Sequence, residues 1–260
     1  MFCRFCGKQI LDDSIFCAFC GKSQGANGAS TASNASSTAT ADEFAELEAF
    51  FSEAAMEKRA RENEEQRRKE AEERRLTAMF SIQNGTLIKF NMPDPPVSCV
   101  TVPAGVTRID EKAFFTCNGL TEITLPYGIT EIGQYAFWEC TNLTQITIPD
   151  SVTRIAEYAF AGCAGLRTIT LPAGITEIET GAFCVCTNLE SITIPPRVES
   201  IGSSAFRMCS NLKAVQIPNS VTSIDWFAFN ECPRLVSIVV PRNAWIDEGA
   251  FDSGCHIFRR

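Results

Sequence analysis

The chain has 260 residues, 45% of them hydrophobic, and a net charge of -8. That apolar share suits a chain that buries a core and excludes global disorder, and the acidic balance argues against a protein whose main work is gripping phosphate backbones. A single histidine, His256, close to the end, leaves little room for a Ser-His-Asp or Cys-His mechanism, and no stretch approaches the roughly 18 apolar residues of a membrane span.

The first 22 residues carry the strongest chemical signal. Cys3-Arg-Phe-Cys6-Gly-Lys and Cys17-Ala-Phe-Cys20-Gly-Lys are two knuckles of one form, ten residues apart. Four thiolates in two C-x-x-C turns match tetrahedral zinc, and Gly7 and Gly21 permit the turn that aims the backbone at sulfur. Lys8 and Lys22 partly offset the negative charge of a four-thiolate centre. The segment resembles a short bacterial zinc-ribbon. Four protein sulfurs leave no open position for water, so one structural Zn2+ on Cys3, Cys6, Cys17 and Cys20 is expected. A redox C-x-x-C is the main competitor, but it needs a thioredoxin-like surround that 22 residues do not supply. A nucleic-acid ribbon is the sharper alternative, with a poor electrostatic footprint: three basic residues, and Asp12-Asp13 between the knuckles.

Residues 23–41 are all Gly, Ala, Ser, Thr, Asn or Gln, a composition with too little apolar surface to offset ordering entropy. They read as a flexible linker spanning on the order of 24 Å. Thr40 to Glu43 then has the form of a capping box ahead of Phe44, Leu47, Phe50 and Phe51, so a charged helix is expected over 42–79. From Glu57 to Arg75, fifteen of nineteen residues are charged. Glu57/Arg61, Glu64/Arg68, Glu65/Lys69 and Glu70/Arg74 each place an acid four residues before a base. With only Ala60 and Ala71 as apolar residues there, the heptad core of a coiled coil is missing in the middle, which favours a solvated rod about 58 Å long.

From Val106 the chain repeats every 23 residues without insertion, in copies starting at Val106, Ile129, Val152, Ile175, Val198 and Val221. Each reads approximately V-T-x-I-x-x-x-A-F-x-x-C-x-x-L-x-x-I-x-I-P-x-x. A fixed period is the signature of a solenoid, because stacked copies bury what one copy leaves exposed. Within a copy, Leu143, Ile146 and Ile148 mark one strand, Ile129 and Ile132 a shorter second one, and Ala-Phe-x-x-Cys a turn or short helix between them.

The L-x-x-I-x-I-P pattern with Ala-Phe-x-x-Cys resembles the BspA-like, or Treponema-type, leucine-rich repeats over about 170 residues. The resemblance implies a mainly β leucine-rich-repeat solenoid over 80–260, with an opening cap at 80–105, repeats at 106–243 and a partial repeat at 244–260. It also implies recognition of a protein or surface ligand, with no catalytic residues to carry over. Because the last cysteine falls one place late, at Cys255, a frayed or capping end is expected there.

Stacking turns each repeat position into a row. Arg108, Glu131, Arg154 and Glu177 alternate in sign, as do Arg167, Glu190 and Lys213, which favours neighbouring strands. Thr124, Thr147, Thr170 and Thr193 suit strand propensity. The row Glu122, Gln145, Thr168, Ser191, Ala214, Ser237 varies freely on the open face and is the first candidate for partner contact. Aromatic residues give the second: Phe115 and Trp138 after the Ala-Phe dipeptide, Tyr135 and Tyr158 before it, and Trp226 and Phe227 in the sixth copy.

Six of the thirteen cysteines, Cys117, Cys140, Cys163, Cys186, Cys209 and Cys232, share one repeat position. A regular ladder offers no natural pairing into disulfides, so they read as small buried hydrophobes, while Cys99, Cys184 and Cys255 stand outside it and are expected to be more exposed. A reducing compartment is consistent with both cysteine populations. The start lacks the basic stretch and apolar core of a secretory signal, and the expected location is cytoplasmic, the alternative being the cell surface by a route without a signal peptide. The combined reading is a non-enzymatic protein-interaction scaffold or adaptor, against an exported adhesin or a nucleic-acid-associated zinc-ribbon protein.

Overall fold

The computed structural model describes residues 41–260, with side chains from Met56 onward. Two compact units divide at Asn63/Glu64, a boundary that falls within helix α1, Ala41–Met79. Residues 56–75 of α1 are all exposed. They are laced by ion pairs one turn apart: Lys69 to Glu65 at 2.7 Å, Arg61 to Glu57 at 3.6 Å and Lys58 to Glu62 at 4.0 Å. Each such pair supports an isolated helix by only a few tenths of a kcal/mol. At its far end Leu76 and Met79 turn toward the repeat core.

The second unit begins with an antiparallel hairpin of β1 (Phe80–Gln83) and β2 (Thr86–Phe90). Thereafter the coils alternate a longer and a shorter strand, save that the third coil has only the shorter one: β3 (Cys99–Thr101), β4 (Arg108–Ile109), β5 (Glu122–Thr124), β6 (Glu131–Ile132), β7 (Gln145–Thr147), β8 (Arg154–Ile155) and β9 (Glu177–Ile178). The stack continues through β10 (Ser191–Thr193), β11 (Ser200–Ile201), β12 (Ala214–Gln216), β13 (Ser223–Ile224), β14 (Ser237–Val240), β15 (Trp245–Ile246) and β16 (His256–Arg259). All pairings after the hairpin are parallel, and the register follows the sequence period: Cys99 faces Glu122 and Glu122 faces Gln145, and Arg108 faces Glu131 and Glu131 faces Arg154. The last coil is shorter. Ser237 faces His256, and β16 lies parallel to β14 over four residues, so the end expected to fray or cap is an ordered strand. Arg259 Nη1 donates to the carbonyls of Arg242 and Ala244 at 2.9 Å and pins it there.

The interior is built of like residues stacked on like. Phe90, Phe114, Phe137, Phe160, Phe183, Phe206, Phe229 and Phe251 form a continuous pile with ring centroids 5.0–5.5 Å apart. This spacing follows the strand separation. Beside it runs the cysteine ladder. The Sγ of Cys140, Cys163, Cys186, Cys209 and Cys232 each donates to a phenylalanine carbonyl of the preceding coil, at 3.1–3.2 Å. Burial pushes the Cys117 thiol up to about 11 and Cys140 and Cys232 up to about 12, which keeps them neutral donors. Cysteine fits this position because a compact, weakly polar side chain satisfies a second lone pair on a buried carbonyl.

Each turn edge requires two residues with left-handed backbone. Lys112, Tyr135, Tyr158, Ser204 and Phe227 occupy the first such position, and Thr116, Glu139, Val185, Met208 and Glu231 the second, all with φ between 53° and 61°. Only Gly181 and Gly162 place glycine there, so most coils tolerate a conformation that side chains disfavour.

Candidate interaction surface

The eight candidate contact residues occupy two separate surfaces. Glu122, Gln145, Thr168 and Ser191 lie on the longer-strand face, where outward residues alternate with the buried Ile123, Ile146, Ile169 and Ile192. Gln145, Thr168 and Ser191 are exposed, whereas Glu122 is half-buried, with Cys99 Sγ 3.9 Å from its carboxylate. Tyr135, Trp138, Tyr158 and Phe115 belong to the turn edge.

Most of the aromatic candidates pack on one another. Tyr135 and Tyr158 stack at 5.3 Å with their planes 8° apart, and Trp138 stands edge-on to both at 5.2 and 5.9 Å. Lys112 Nζ lies 5.5 Å from the Tyr135 ring centroid. The pile fits because the next coil has Gly181 at this position: a Cβ there would fall 2.2 Å from Tyr158 Cε1. All three rings are therefore half-buried, and Phe115 is the more available, at 41% exposure. In the sixth copy, Trp226 is 54% exposed and packs on Phe227 at 5.4 Å. Sequence reasoning passed over Tyr127, the most exposed large hydrophobic side chain among the described residues, and Trp245; both break rows of otherwise small or polar residues, the one signal that marks them.

Charge rows differ in one partner. Arg154 Nη1 meets Glu131 at 2.6 Å, but its other contact is a two-pronged pair with Glu179, 2.8 Å from Nε, rather than with Glu177. Glu177 is on the strand itself, whereas Glu179 sits just past it and can swing its carboxylate back over the preceding coil. Lys213 reaches Glu190 at 3.1 Å and holds that carboxyl below its usual range, by hydrogen bonding first and charge second. Both groups are exposed, so the pair contributes little to stability.

Cys99 is exposed, Cys184 and Cys255 are half-buried, and the six ladder cysteines are buried. All nine are free thiols. Cys3, Cys6, Cys17 and Cys20 lie outside the described residues. Among the described residues no group of His, Cys, Asp or Glu is arranged to hold a metal, and no helix is long and apolar enough to cross a membrane. The donor set itself, four sulfurs in two matched knuckles, fits zinc and leaves no ligand position open.

A stack of 23-residue coils with buried Phe, Cys, Leu and Ile ladders and an open parallel-strand face defines a leucine-rich-repeat solenoid. The chain belongs to the BspA type leucine rich repeat family, matched over residues 93–183 and 130–257, and residues 2–24 match a zinc-ribbon domain. Among solved structures, the chain is similar to a Treponema pallidum leucine rich repeat protein at 26% identity, with a TM-score of 0.56 over 69% of this chain and 82% of that one. It is similar at 34% identity and a TM-score of 0.60 to a leucine-rich repeat protein from Bacteroides ovatus, over 66% of this chain and 48% of that one. A leucine rich cell surface protein from Faecalibacterium prausnitzii is 32% identical, with a TM-score of 0.58 over 66% of this chain and 49% of that one. The chain thus spans about half the length of the Bacteroides and Faecalibacterium proteins. No match was found among curated proteins.

Proposed function

We propose that the chain is a non-enzymatic binding scaffold whose solenoid recognises a protein partner on the longer-strand face, while a zinc-ribbon at residues 1–22, held by one structural Zn2+ on Cys3, Cys6, Cys17 and Cys20, engages a second partner or positions the molecule. The observation that carries this reading is the outward row Gln145, Thr168, Ser191, Ala214, Ser237: five exposed positions with short or neutral side chains that the repeat leaves free to vary while it conserves everything beneath them. The linker at 23–41 would let the two modules act independently. Nine free thiols together with a thiolate zinc site favour a reducing, cytoplasmic setting.

The likeness to a protein described as a leucine rich cell surface protein supports a second reading, an adhesin displayed on the cell surface. Protease treatment of intact host cells separates the two: loss of the protein places it outside, survival inside. For the scaffold, pull-downs with the full chain, the chain lacking residues 1–41 and a Gln145→Arg/Ser191→Arg variant are compared by their captured partners. One partner lost with the first change and another with the second supports two independent modules, and an unchanged set in both refutes it. Elemental analysis of the untagged protein should give about one zinc per chain, lost in Cys3→Ser/Cys17→Ser.

A further inference from the structure

On the open face the ladder β3-β5-β7 is continuous, β10 pairs with β12 and β14 with β16, but nothing joins these three sets. Between β7 and β10 runs the third coil's segment Thr168, Ile169, Thr170, which shares the Ile-Thr pair of Gln145-Ile146-Thr147 and Ser191-Ile192-Thr193 yet forms no strand with either. Among the described residues none donates to or accepts from the backbone of these three; the nearest tie is Glu190 N to Arg167 O at 2.9 Å. The shorter-strand ladder stops at the same level, with β8 pairing only back to β6 and β9 only onward to β11. The turn edge is unbroken: Tyr158 N donates to Thr180 O at 2.9 Å, Phe160 N to Ala182 O at 2.9 Å and Gly162 N to Cys184 O at 2.8 Å.

The coils at this level are therefore held along one edge and parted along the others. Two grooves flank Thr168–Thr170, of about 500 Å³ toward β7 and about 320 Å³ toward β10. The parting reaches the core, since Ile146, Ile148, Ile169 and Leu171 are each 8% exposed, against 0% for Ile123 and 3% for Ile192. A strand segment with unsatisfied amides and carbonyls is a template for another chain.

We propose that Thr168–Thr170 and its two grooves receive an extended polypeptide segment with small, uncharged side chains, which pairs main chain to main chain with the parted segment. This rests on the reading of the open face as a recognition surface and gives it a location and a mode. Donors and acceptors that alternate along an extended backbone are matched in spacing by another extended backbone. Neither groove is lined by a charged side chain; hydroxyls and the amide of Gln145 line them, with Thr147, Thr170 and Thr193 at the rims. Phosphates and acidic or basic helices thus meet no counter-charge here, and small or β-branched side chains fit between the threonines.

Hydrogen exchange on the full chain is the test, with the synthetic peptide Leu-Thr-Gln-Ile-Thr-Ile-Pro, a copy of residues 143–149, as probe. In the free protein the amides of Thr168–Thr170 should exchange at least about ten-fold faster than those of Ile123 and Ile192. Added peptide should slow exchange at Thr168–Thr170, whereas the same peptide N-methylated at alternate residues, unable to pair, should not. Thr170→Arg, outward-facing and so compatible with folding, should lose the effect. Equal protection of Thr168–Thr170 in the free chain, equal binding of the N-methylated peptide, or no slowing at saturating peptide would each overturn the proposal. Partner capture that survives Thr170→Arg but is lost in Ala214→Arg/Ser237→Arg, on the same exposed row and outside both grooves, would refute this location alone and leave the general reading intact.

Discussion

Raising the pH to 10 under reducing conditions should unfold the repeat stack through its cysteine ladder. The ladder thiols are buried, and all except Cys117 donate to a phenylalanine carbonyl of the coil before. Burial pushes Cys140 and Cys232 up to about 12 and Cys163, Cys186 and Cys209 well above the ordinary 9.0. The folded values are raised, so this stabilisation is complete below the unfolded value near 9 and is lost as pH climbs toward the folded one. At pH 10 each thiol released by unfolding gains about 1.4 kcal/mol by ionising. Six thiols together give about 8 kcal/mol, comparable with the whole stability of an ordinary domain. Urea midpoints followed by circular dichroism at pH 7, 8, 9 and 10, with a phosphine reductant, would measure it. Cys163→Ala/Cys186→Ala removes two titrating groups and should flatten the fall by about a third, whatever it costs at neutral pH. Stability that is level from pH 8 to 10, or a fall just as steep in the double variant, would refute the neutral-thiol account.

Other perturbations probe the same architecture. Phe183→Ala should cost about 3–5 kcal/mol and, because the sheets are parted where Phe160 meets Phe183, split thermal unfolding into two steps; a single step would contradict a weak joint there. Thr116→Gly relieves a left-handed backbone at φ 54° on an exposed residue and should stabilise by about 0.5–1 kcal/mol in denaturant titration. Gly181→Ala should destabilise by about 1–3 kcal/mol, since its Cβ would overlap the Tyr158 ring, and less so when Tyr158→Ala is present, a coupling that a double-mutant cycle reads directly. Arg154→Ala should cost about 1 kcal/mol, and only part of that cost should be lost at 1 M salt, because the guanidinium is half exposed while the Glu131 and Glu179 carboxylates it joins are only 22% and 16% exposed.

Much of the core was legible because a strict period needs no context. Phe137 recurs as Phe160 and Cys140 as Cys163, and once copies stack these residues have nowhere to go but onto their equivalents. The aromatic candidates were less legible. Tyr135 and Trp138 look like recognition residues by type, yet the missing side chain at Gly181 lets Tyr158 and its neighbours settle into a half-buried pile. Arg154 turning to Glu179 instead of Glu177 depends on side-chain reach just beyond a two-residue strand, which row arithmetic does not contain.

What the sequence by itself determined is everything carried by identity at a repeat position: the solenoid, its register of 23, the buried ladders, the neutral thiols and the matched knuckles of the ribbon, because each follows from residue type and spacing alone. The tertiary structure decided where the regularity fails. Thr168-Ile169-Thr170 is as good a strand by sequence as Ser191-Ile192-Thr193, and only the second pairs. Whether a ladder closes depends on how coils tilt and stack, a sum of small displacements over the whole pile that no single coil encodes.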